Sequence, residues 1–324
     1  MIKVFVIGAT GYIGSAFSER LLELGCEVIG SARTDEAIAK LIKVGIKPVL
    51  GSFEQPESWI AATQQADLII YAAYNYNDSS NARKELDSQQ SHLTKILQTI
   101  EGTNKTFVLI SGGGVIWDSK DIVYEETTPL PETEDLNTRA RRAMEQEVLK
   151  TATSGVKSIV LRPPIVYGRG GSLMIPRFLL DYAINNRESF YIENCQNNKW
   201  STVHIDDLTD LLVLALDRAP AGSLYYASAV SGVTTIQIAE AISFAAGLNG
   251  QTKAISLIEA RNLSYAPGKN FEHWADWWAI SNQCSGKKAK RELNWHPQKV
   301  SLLEDIKHGS YTIHPIKNTP KLQL

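Results

Sequence analysis

The chain has 324 residues, of which 44% are hydrophobic and 21% are charged. This composition is typical of a folded globular protein and excludes a disordered chain, a collagen-like repeat and a disulfide-stabilised miniprotein. The formal net charge of −2 gives no general attraction to nucleic acid or anionic membranes. Three scattered cysteines, Cys26, Cys195 and Cys284, form no Cys-x-x-Cys pair. We therefore expect no metal site and a reducing, cytoplasmic location.

Short apolar runs alternate with amphipathic helical stretches through the first two thirds of the chain. Strands are predicted at Val4–Ile7, Val28–Ser31, Pro48–Leu50, Leu68–Ala72, Phe107–Ile110 and Ser158–Leu161. Helices are predicted between them, at Tyr12–Leu24, Glu36–Val44, Arg83–Ile100 and Asn137–Lys150. Strand–helix alternation builds right-handed βαβ units. The pattern therefore predicts an α/β fold, a doubly wound parallel sheet of Rossmann type.

The pattern changes after Arg162, where Pro163–Pro164 end the strand because proline lacks the N–H that a central ladder needs. Later helices are predicted at Ile175–Asn186, Ile205–Leu216, Ile236–Ala246 and Leu302–Gly309. The length suits about two compact units. We predict a first domain at residues 1–165, to which 201–220 return, and a smaller C-terminal α/β domain at 166–200 and 221–324.

A glycine-rich turn separates the first strand from the first helix. There, Gly8 permits a tight turn, Gly11 lets the backbone approach a pyrophosphate, and Gly14 lets helix and strand pack closely. The backbone N–H groups that begin the helix then face the phosphate. The predicted dinucleotide-binding residues are Gly8, Thr10, Gly11, Tyr12, Ile13 and Gly14. The alternative is a tight turn that binds no ligand.

The end of the second strand distinguishes NADP from NAD. An Asp or Glu placed there would hold the ribose hydroxyls of NAD, but this chain has Ala32 followed by Arg33. Without the carboxylate a 2′-phosphate is not repelled, and Arg33 can form a charge-assisted contact with it. We predict NADP as the cofactor. NAD is the alternative, with Arg33 as a solvated loop residue.

Five stretches together resemble one known family over nearly the whole chain. They are GATGYIG at 8–14, DLIIYAA at 67–73, LISGGGVIW at 109–117, LRPPIVYG at 161–168 and VHIDDL at 203–208. They are similar to the extended short-chain dehydrogenases/reductases, a group that includes sugar-nucleotide epimerases and dehydratases. FEHWADWW at 271–278 and KKAKRELNWHP at 287–297 resemble an atypical subgroup, the NAD-dependent epimerase/dehydratase-like proteins.

The resemblance implies a catalytic Ser or Thr, a Tyr and a Lys, and this chain departs from all three. The Tyr position falls on Asn137, the Lys position on Arg141 and the Ser position on Gly112, with Ser111 one residue earlier. An Asn amide cannot transfer a proton at neutral pH. An Arg keeps its proton but can still donate hydrogen bonds to the nicotinamide ribose. The acid–base group is therefore missing or relocated.

Replacement groups are sought at the carboxyl ends of the strands, where open α/β sheets bind ligands. Tyr74 and Tyr76 follow the fourth strand, and Ser111 follows the fifth. Tyr74 could serve the pocket or be an ordinary packing residue, and Ser111 could bind a substrate oxygen. The candidate catalytic residues are Ser111, Tyr74, Asn137 and Arg141. Gly113 and Gly114 would form a low wall beside the substrate.

The resemblance also implies further ligand contacts. For the cofactor these are Arg141, Ser52 and Phe53 in the adenine pocket, Ala72 and Ala73 beneath the cofactor, and Pro163 and Ile165 beside the nicotinamide. The predicted substrate-binding residues are Tyr74, Gly113, Gly114, Trp200 and Trp274. The aromatic segment that contains Trp274 has two interpretations, a core stripe or a wall of the substrate cleft. His204 is interpreted as structural, with Asp206 or Asp207 capping the next helix.

These features favour an NADP-dependent oxidoreductase acting on a small organic carbonyl, enone or imine. One alternative is an epimerase, dehydratase, lyase or cyclase without net redox change. Another is a non-catalytic NADPH-binding module. The expected partner is a small-molecule substrate, with no nucleic acid and no membrane. A homodimer is an assembly that the sequence neither predicts nor excludes.

Overall fold

The computed structural model describes residues 1–74, 82–266 and 269–312. Its strands are β1 (Lys3–Ile7), β2 (Glu27–Ala32), β3 (Lys47–Leu50), β4 (Leu68–Tyr71), β5 (Thr106–Ile110), β6 (Lys157–Arg162), β7 (Ile165–Gly168), β8 (Gly171–Ser172), β9 (Phe190–Ile192), β10 (Lys199–His204), β11 (Ser223–Tyr226), β12 (Val230–Thr234), β13 (Lys253–Ile255), β14 (Ser264–Ala266) and β15 (Lys269–Asn270).

The α-helices are α1 (Tyr12–Glu23), α2 (Asp35–Lys43), α3 (Glu57–Gln65), α4 (Ala82–Ile100), α5 (Leu136–Lys150), α6 (Arg177–Asn186), α7 (Ile205–Arg218), α8 (Thr235–Ala245), α9 (Leu257–Arg261), α10 (Glu272–Trp278), α11 (Lys287–Leu293) and α12 (Leu302–His308). Within the described residues, none of them is long and apolar enough to cross a membrane.

Seven strands form one sheet in the order β11-β6-β5-β4-β1-β2-β3, and every neighbouring pair is parallel. The predicted α/β fold with a parallel sheet is thereby confirmed. All six strands predicted from the sequence are present with small shifts at their ends. The seventh, β11, is not among the predicted strands, because it closely follows the turn-forming residues Pro220 and Gly222.

The central strands are buried on both faces, which explains why they are continuous apolar runs. On one face, α3, α4 and α5 pack against the sheet through a core that includes Phe5, Trp59, Leu93, Phe107 and Val148. Elsewhere in this part of the fold, α1 and α7 pack against each other. Loops follow the carboxyl ends of the strands, and some of the predicted site residues, among them Gly11, Ala73 and Ser111, lie in them.

The chain divides into two compact units. The first contains residues 1–165, 199–232 and 280–300, and the second contains 166–198, 233–279 and the residues from 301 onward. The sequence predicts 199–200, 221–232 and 280–300 to lie in the smaller domain. They lie in the first unit because β11 pairs with β6, and because the backbone of 280–285 is hydrogen-bonded to residues of that unit.

The second unit is built around α6, α8 and α12, with α8 in contact with both other helices. Phe271 is fully buried and its ring stacks on Phe178 at a centroid distance of 4.3 Å. Trp278 is also fully buried. Phe271 and Trp278 therefore fit the interpretation of the aromatic segment as a core stripe.

A buried aromatic cluster lies beneath β4 and contains Phe53, Trp59, Tyr71 and His92. Tyr71 Oη lies 3.4 Å from His92 Nδ1, whereas His92 Nε2 has no hydrogen-bond partner in the described structure. Burial, and to a smaller extent Lys95, lowers the pKa of His92 from 6.5 to about 4. This imidazole is therefore neutral in the fold at neutral pH.

We expect His92 to make the protein less stable in mild acid. Between pH 6.5 and about 4 the unfolded chain binds a proton at His92 that the folded chain resists. The contribution of the neutral His92 to the free energy of unfolding is therefore complete above pH 6.5 and is lost as the pH falls toward 4. Melting temperatures measured from pH 7.5 to 4.5 should fall less steeply for His92→Gln than for the wild type. Parallel pH profiles would contradict this assignment.

Candidate functional site

Each glycine of the first turn has its own structural reason. Gly8 has φ of +93°, and a Cβ there would lie 2.9 Å from the backbone of Ala72. A Cβ on Gly14 would lie 2.1 Å from the Gly8 oxygen. Gly11 differs, because its φ of −78° suits any residue and, among the described residues, its Cβ would come closest to the Gly8 oxygen, at 3.2 Å. Internal packing thus requires Gly8 and Gly14, whereas Gly11 leaves the outer surface of the turn open.

The amino end of α1 is suited to an anion. Gly11 is its N-cap residue, no side chain caps it within the described structure, and its first turn holds no acidic residue. The helix dipole and the N–H groups of the first turn therefore favour a bound negative charge. The Gly8 N–H donates to Ser31 Oγ at 2.9 Å, which fixes the turn against the end of β2.

Arg33 leaves the sheet beside this turn. The strand β2 ends at the buried Ala32, two residues before Thr34 caps α2. Arg33 is exposed, and no residue in the described ranges pairs with it. Thr10 lies on the rim of a groove of about 600 Å³ between α1 and α2. Arg33 is thus an exposed cation two residues after Ser31, whose hydroxyl accepts the Gly8 N–H of the glycine turn.

The predicted adenine and cofactor-floor residues occupy the ends of β3 and β4. Ser52 Oγ accepts hydrogen bonds from the backbone N–H groups of Glu54 and Gln55, at 3.2 and 3.1 Å. Phe53 is buried in the aromatic cluster. Their side chains thus serve the local turn and the core. Contacts of Ser52 and Phe53 with adenine stay predictions. Such contacts would have to come from atoms that the local turn and the core do not already use.

Ala72 and Ala73 lie directly beneath the glycine turn. The Ala72 N–H donates to the Ile7 oxygen at 2.8 Å, and the Ala73 oxygen accepts from Gln89 Nε2 at 3.0 Å. A Cβ on Gly8 would touch the backbone of both alanines. These contacts place the start of the β4–α4 connection against the floor of the predicted cofactor site.

The structure brings three of the four candidate catalytic residues into contact. Tyr74 Oη donates to the backbone oxygen of Asn137 at 2.9 Å. The guanidinium carbon of Arg141 lies 3.8 Å from the centroid of the Tyr74 ring, and Arg141 is only 5% exposed. A Cβ on Gly112 would lie 3.4 Å from Arg141 Nη1. Ser111, the neighbour of Gly112, completes the cluster, here called the Arg141 cluster (Tyr74, Ser111, Asn137, Arg141).

Two polar atoms of the Arg141 cluster lack partners in the described structure. Ser111 Oγ and Asn137 Oδ1 are both inaccessible to solvent and form no hydrogen bond. Leaving a buried polar group unsatisfied costs about 1–3 kcal/mol, a cost that a ligand would remove. The Tyr74 hydroxyl differs, because its proton is already donated to the Asn137 carbonyl. The cluster therefore combines a buried positive charge with a hydroxyl and an amide oxygen that have no partner in the described structure.

Asn282, which sequence reasoning missed, lies behind the triple-glycine turn. Its Nδ2 donates to the oxygens of Gly113, at 3.0 Å, and Trp117, at 3.2 Å. A Cβ on Gly113 would lie 2.7 Å from Asn282 Oδ1, so this glycine has a packing reason of its own. Trp200 is buried beside Asn282 through a backbone bridge. Substrate contacts of Gly113 and Trp200 therefore stay predictions.

The remaining predicted residues are placed as follows. The Gly114 oxygen accepts from Thr138 Oγ1 at 3.2 Å, and the Pro163 oxygen accepts the Gly113 N–H at 2.7 Å. Ile165 is buried at the start of β7. Trp274 is half-buried on α10 in the second unit. Tyr76 lies outside the described residues.

The VHIDDL stretch is structural, but its details differ from the prediction. His204 itself caps α7, because its Nδ1 accepts the Asp206 N–H at 3.1 Å. Asp207 instead accepts the N–H groups of Gln298 and Lys299, both at 2.8 Å. The two acidic residues therefore do not provide the cap. In the described part of the chain, no group of three or more His, Cys, Asp or Glu residues could hold a metal ion.

The sequence pattern of the NAD dependent epimerase/dehydratase family matches residues 4–226. An uncharacterized protein of Schizosaccharomyces pombe is 30% identical over 310 residues, covering 95% of this chain and 99% of the relative. The UDP-glucose 4-epimerase of Thermus thermophilus, solved in complex with NAD, superposes with a TM-score of 0.76 at 18% identity, covering 97% of this chain and 100% of that one. This structural likeness concerns the fold.

Several relatives have names that state a reaction. The decarboxylating sterol-4-alpha-carboxylate 3-dehydrogenase of Dictyostelium discoideum is 26% identical, covering 70% of this chain and 71% of the relative. A ketoreductase of Stigmatella aurantiaca is 25% identical, covering 69% of this chain and 67% of the relative. Its named substrate is a 4-hydroxy-2-methyl-3-oxo-4-farnesyl-3,4-dihydroquinoline-1-oxide.

Proposed function

The chain belongs to the NAD dependent epimerase/dehydratase family, and on that premise we propose that it is an NADP-dependent oxidoreductase that reduces a small organic carbonyl compound. The observation that carries the proposal is the Arg141 cluster, in which a buried cation approaches Gly112, and the preceding residue, Ser111, has a buried hydroxyl without a partner in the described structure. The two relatives named as a dehydrogenase and a ketoreductase support redox chemistry at an oxygen-bearing carbon. Both names describe molecules with a large apolar part, so we propose an apolar ketone, enone or imine.

The fit of a dinucleotide rests on the glycine turn. The open outer face of Gly11 and the uncapped start of α1 suit a pyrophosphate. The chain from Ala72 to Tyr74 would pass beneath the cofactor, and Arg141 would reach the nicotinamide ribose. Bound NADPH would supply a hydride to the substrate.

The residues of the Arg141 cluster would then act on the substrate oxygen. Hydride addition to a carbonyl carbon leaves negative charge on that oxygen, and the fixed charge of Arg141 would stabilise it. The Ser111 hydroxyl would donate a hydrogen bond to the same oxygen, and Asn137 Oδ1 would accept one from a substrate N–H or O–H. The alkoxide then takes a proton from water. No side chain of this cluster has to act as a base.

The second candidate is an epimerase or dehydratase without net redox change, which the family name favours. Oxidation of a substrate alcohol must begin by removing its hydroxyl proton. In the Arg141 cluster, Tyr74 already donates to a carbonyl, Asn137 cannot act as a base, and Arg141 keeps its proton. Reduction also needs a proton, which water can donate to the alkoxide, and we rank reduction first because of the relatives named as a dehydrogenase and a ketoreductase. A non-catalytic NADPH-binding module is the third candidate.

Deuterium transfer tests the proposal. The purified protein would be incubated with NADPH labelled at either face of C4 and with a panel of apolar ketones, enones and imines. We expect deuterium in a product, and about 10²-fold slower transfer in Ser111→Ala, the usual cost of removing one donor to a developing oxyanion. Substrate interconversion with no net NADPH change would favour the second candidate. Bound NADPH that labels no product would favour the binding module.

Arg33 should decide the choice of cofactor. We expect Arg33→Ala to weaken NADPH binding by about 10- to 100-fold, the value of a charged hydrogen bond to a phosphate. NADH binding should stay within about twofold because NADH has no 2′-phosphate. Calorimetric titration measures both, with Lys43→Ala, exposed at the far end of α2, as the matched loss of a positive charge. Equal NADPH and NADH affinities in the wild type would contradict the preference for NADP.

A further inference from the structure

We propose that Asn282 is a positioning residue that holds the turn behind Ser111, an inference that rests on the proposed reduction. The 3₁₀ turn Gly113–Ile116 begins two residues after Ser111. Asn282 Nδ2 donates to the oxygen of Gly113, the first residue of this turn, and to that of Trp117, directly after it. One buried amide group therefore fixes both ends of the turn.

The turn needs hydrogen bonds from outside it because its backbone conformation is unusual. Trp117 has φ of +62°, a region that residues other than glycine rarely adopt. Gly112 is extended, and the Gly113 N–H donates to the Pro163 oxygen at 2.7 Å. Together these features restrict the backbone between Ser111 and Trp117 to one conformation. The hydrogen bond from Asn282 to the Trp117 oxygen fixes the end of this segment. It thereby helps to keep Gly112 close to Arg141.

The position of Asn282 is set by its backbone, independently of its side chain. Its N–H donates to the Lys199 oxygen at 2.8 Å, and its oxygen accepts the Ser201 N–H at 3.0 Å. On the other side of the segment, the Ser119 N–H donates to the Ser281 oxygen at 2.8 Å. A substitution at 282 should therefore leave the segment in place and remove only the two side-chain bonds.

The chemistry of the side chain points to the same role. Asn282 is 1% exposed, yet its Oδ1 has no hydrogen-bond partner in the described structure. Burying an unsatisfied amide oxygen costs free energy that an apolar side chain would not incur. The two N–H donors are the part of the side chain that this arrangement uses. Asn282 does not belong to the Arg141 cluster and acts on the site through the backbone of residues 113–117.

The test compares Asn282→Leu and Asn282→Asp with a matched control, Gln283→Leu. Gln283 is a buried amide on the same segment, and it donates to Lys120 rather than to the turn. Hydrogen exchange of the peptide covering residues 111–118 should be about tenfold faster in both Asn282 variants. In Gln283→Leu this peptide should exchange as in the wild type. Asn282→Asp is included because it keeps the shape of the side chain but places oxygen against two carbonyl oxygens.

Deuterium transfer from labelled NADPH supplies the functional measurement. We expect Asn282→Leu to lower kcat by about tenfold, with KM and the NADPH Kd within about twofold, because binding groups remain while the Ser111 hydroxyl is misplaced. Wild-type exchange in the peptide, or a wild-type kcat, in the Asn282 variants would overturn the proposal. Absence of transfer in the wild type would refute the proposed function instead, so the two failures are distinguishable.

Discussion

Gly11→Ala is expected to weaken NADPH binding by about 10²-fold or more while leaving the fold intact. The added Cβ would stand between the start of α1 and the pyrophosphate, breaking charged hydrogen bonds worth about 1.5–3 kcal/mol each. The φ of −78° at Gly11 accommodates alanine, and in the described structure the added Cβ would lie 3.2 Å from the Gly8 oxygen. Calorimetry measures the affinity, and thermal unfolding shows that the variant is folded.

Gly8→Ala is the structural comparison for this prediction. Its positive φ and its 2.9 Å approach to the Ala72 backbone make alanine strained there whether or not a ligand binds. We expect Gly8→Ala to lower the melting temperature and Gly11→Ala to change it little. If Gly11→Ala binds NADPH like the wild type, the turn does not hold the pyrophosphate.

Glu145→Ala is expected to have the largest effect on stability, about 3–5 kcal/mol in the free energy of unfolding. Glu145 accepts two hydrogen bonds from Arg162, at 2.9 and 2.6 Å, and both side chains are less than a tenth exposed. Arg162 also donates to the Tyr226 hydroxyl at 2.9 Å. Removing the carboxylate leaves a buried guanidinium whose remaining hydrogen-bond partner in the described structure is the neutral Tyr226 hydroxyl. Denaturant unfolding of both proteins measures the difference.

An exposed ion pair provides the matched control. Arg177 and Asp181 also form two hydrogen bonds, on the surface of α6, where each side chain is nearly half exposed. Asp181→Ala should cost less than about 1 kcal/mol, since water and salt screen exposed pairs. A Glu145→Ala variant no less stable than Asp181→Ala would show that the buried pair contributes nothing particular to the fold.

Local sequence patterns predicted the features that neighbouring residues determine. The central strands β1, β4, β5 and β6 are largely apolar runs because a parallel sheet is covered on both faces. The glycine turn follows β1 because only glycine adopts the backbone of Gly8 and tolerates the contact at Gly14. These constraints act within a few residues, and they could be read from the chain directly.

Contacts between distant parts of the chain could not be predicted in this way. Tyr74 and Asn137 are 63 residues apart, and no local pattern shows that the tyrosine hydroxyl is engaged by the Asn137 carbonyl. Asn282 reaches Gly113 across 169 residues. A single Asn in a polar stretch carries no signal of that contact. The resemblance to a family supplied the site positions, and the fold supplied their partners.

The structure of a complex with NADPH tests the central claim most directly, namely that a dinucleotide binds at the amino end of α1. The account predicts the pyrophosphate within hydrogen-bond distance of the backbone N–H groups of Tyr12 and Ile13, passing over Gly11, with the 2′-phosphate against Arg33. A crystal equilibrated with saturating NADPH in which that turn contacts no nucleotide, or in which the pyrophosphate lies elsewhere, would contradict it.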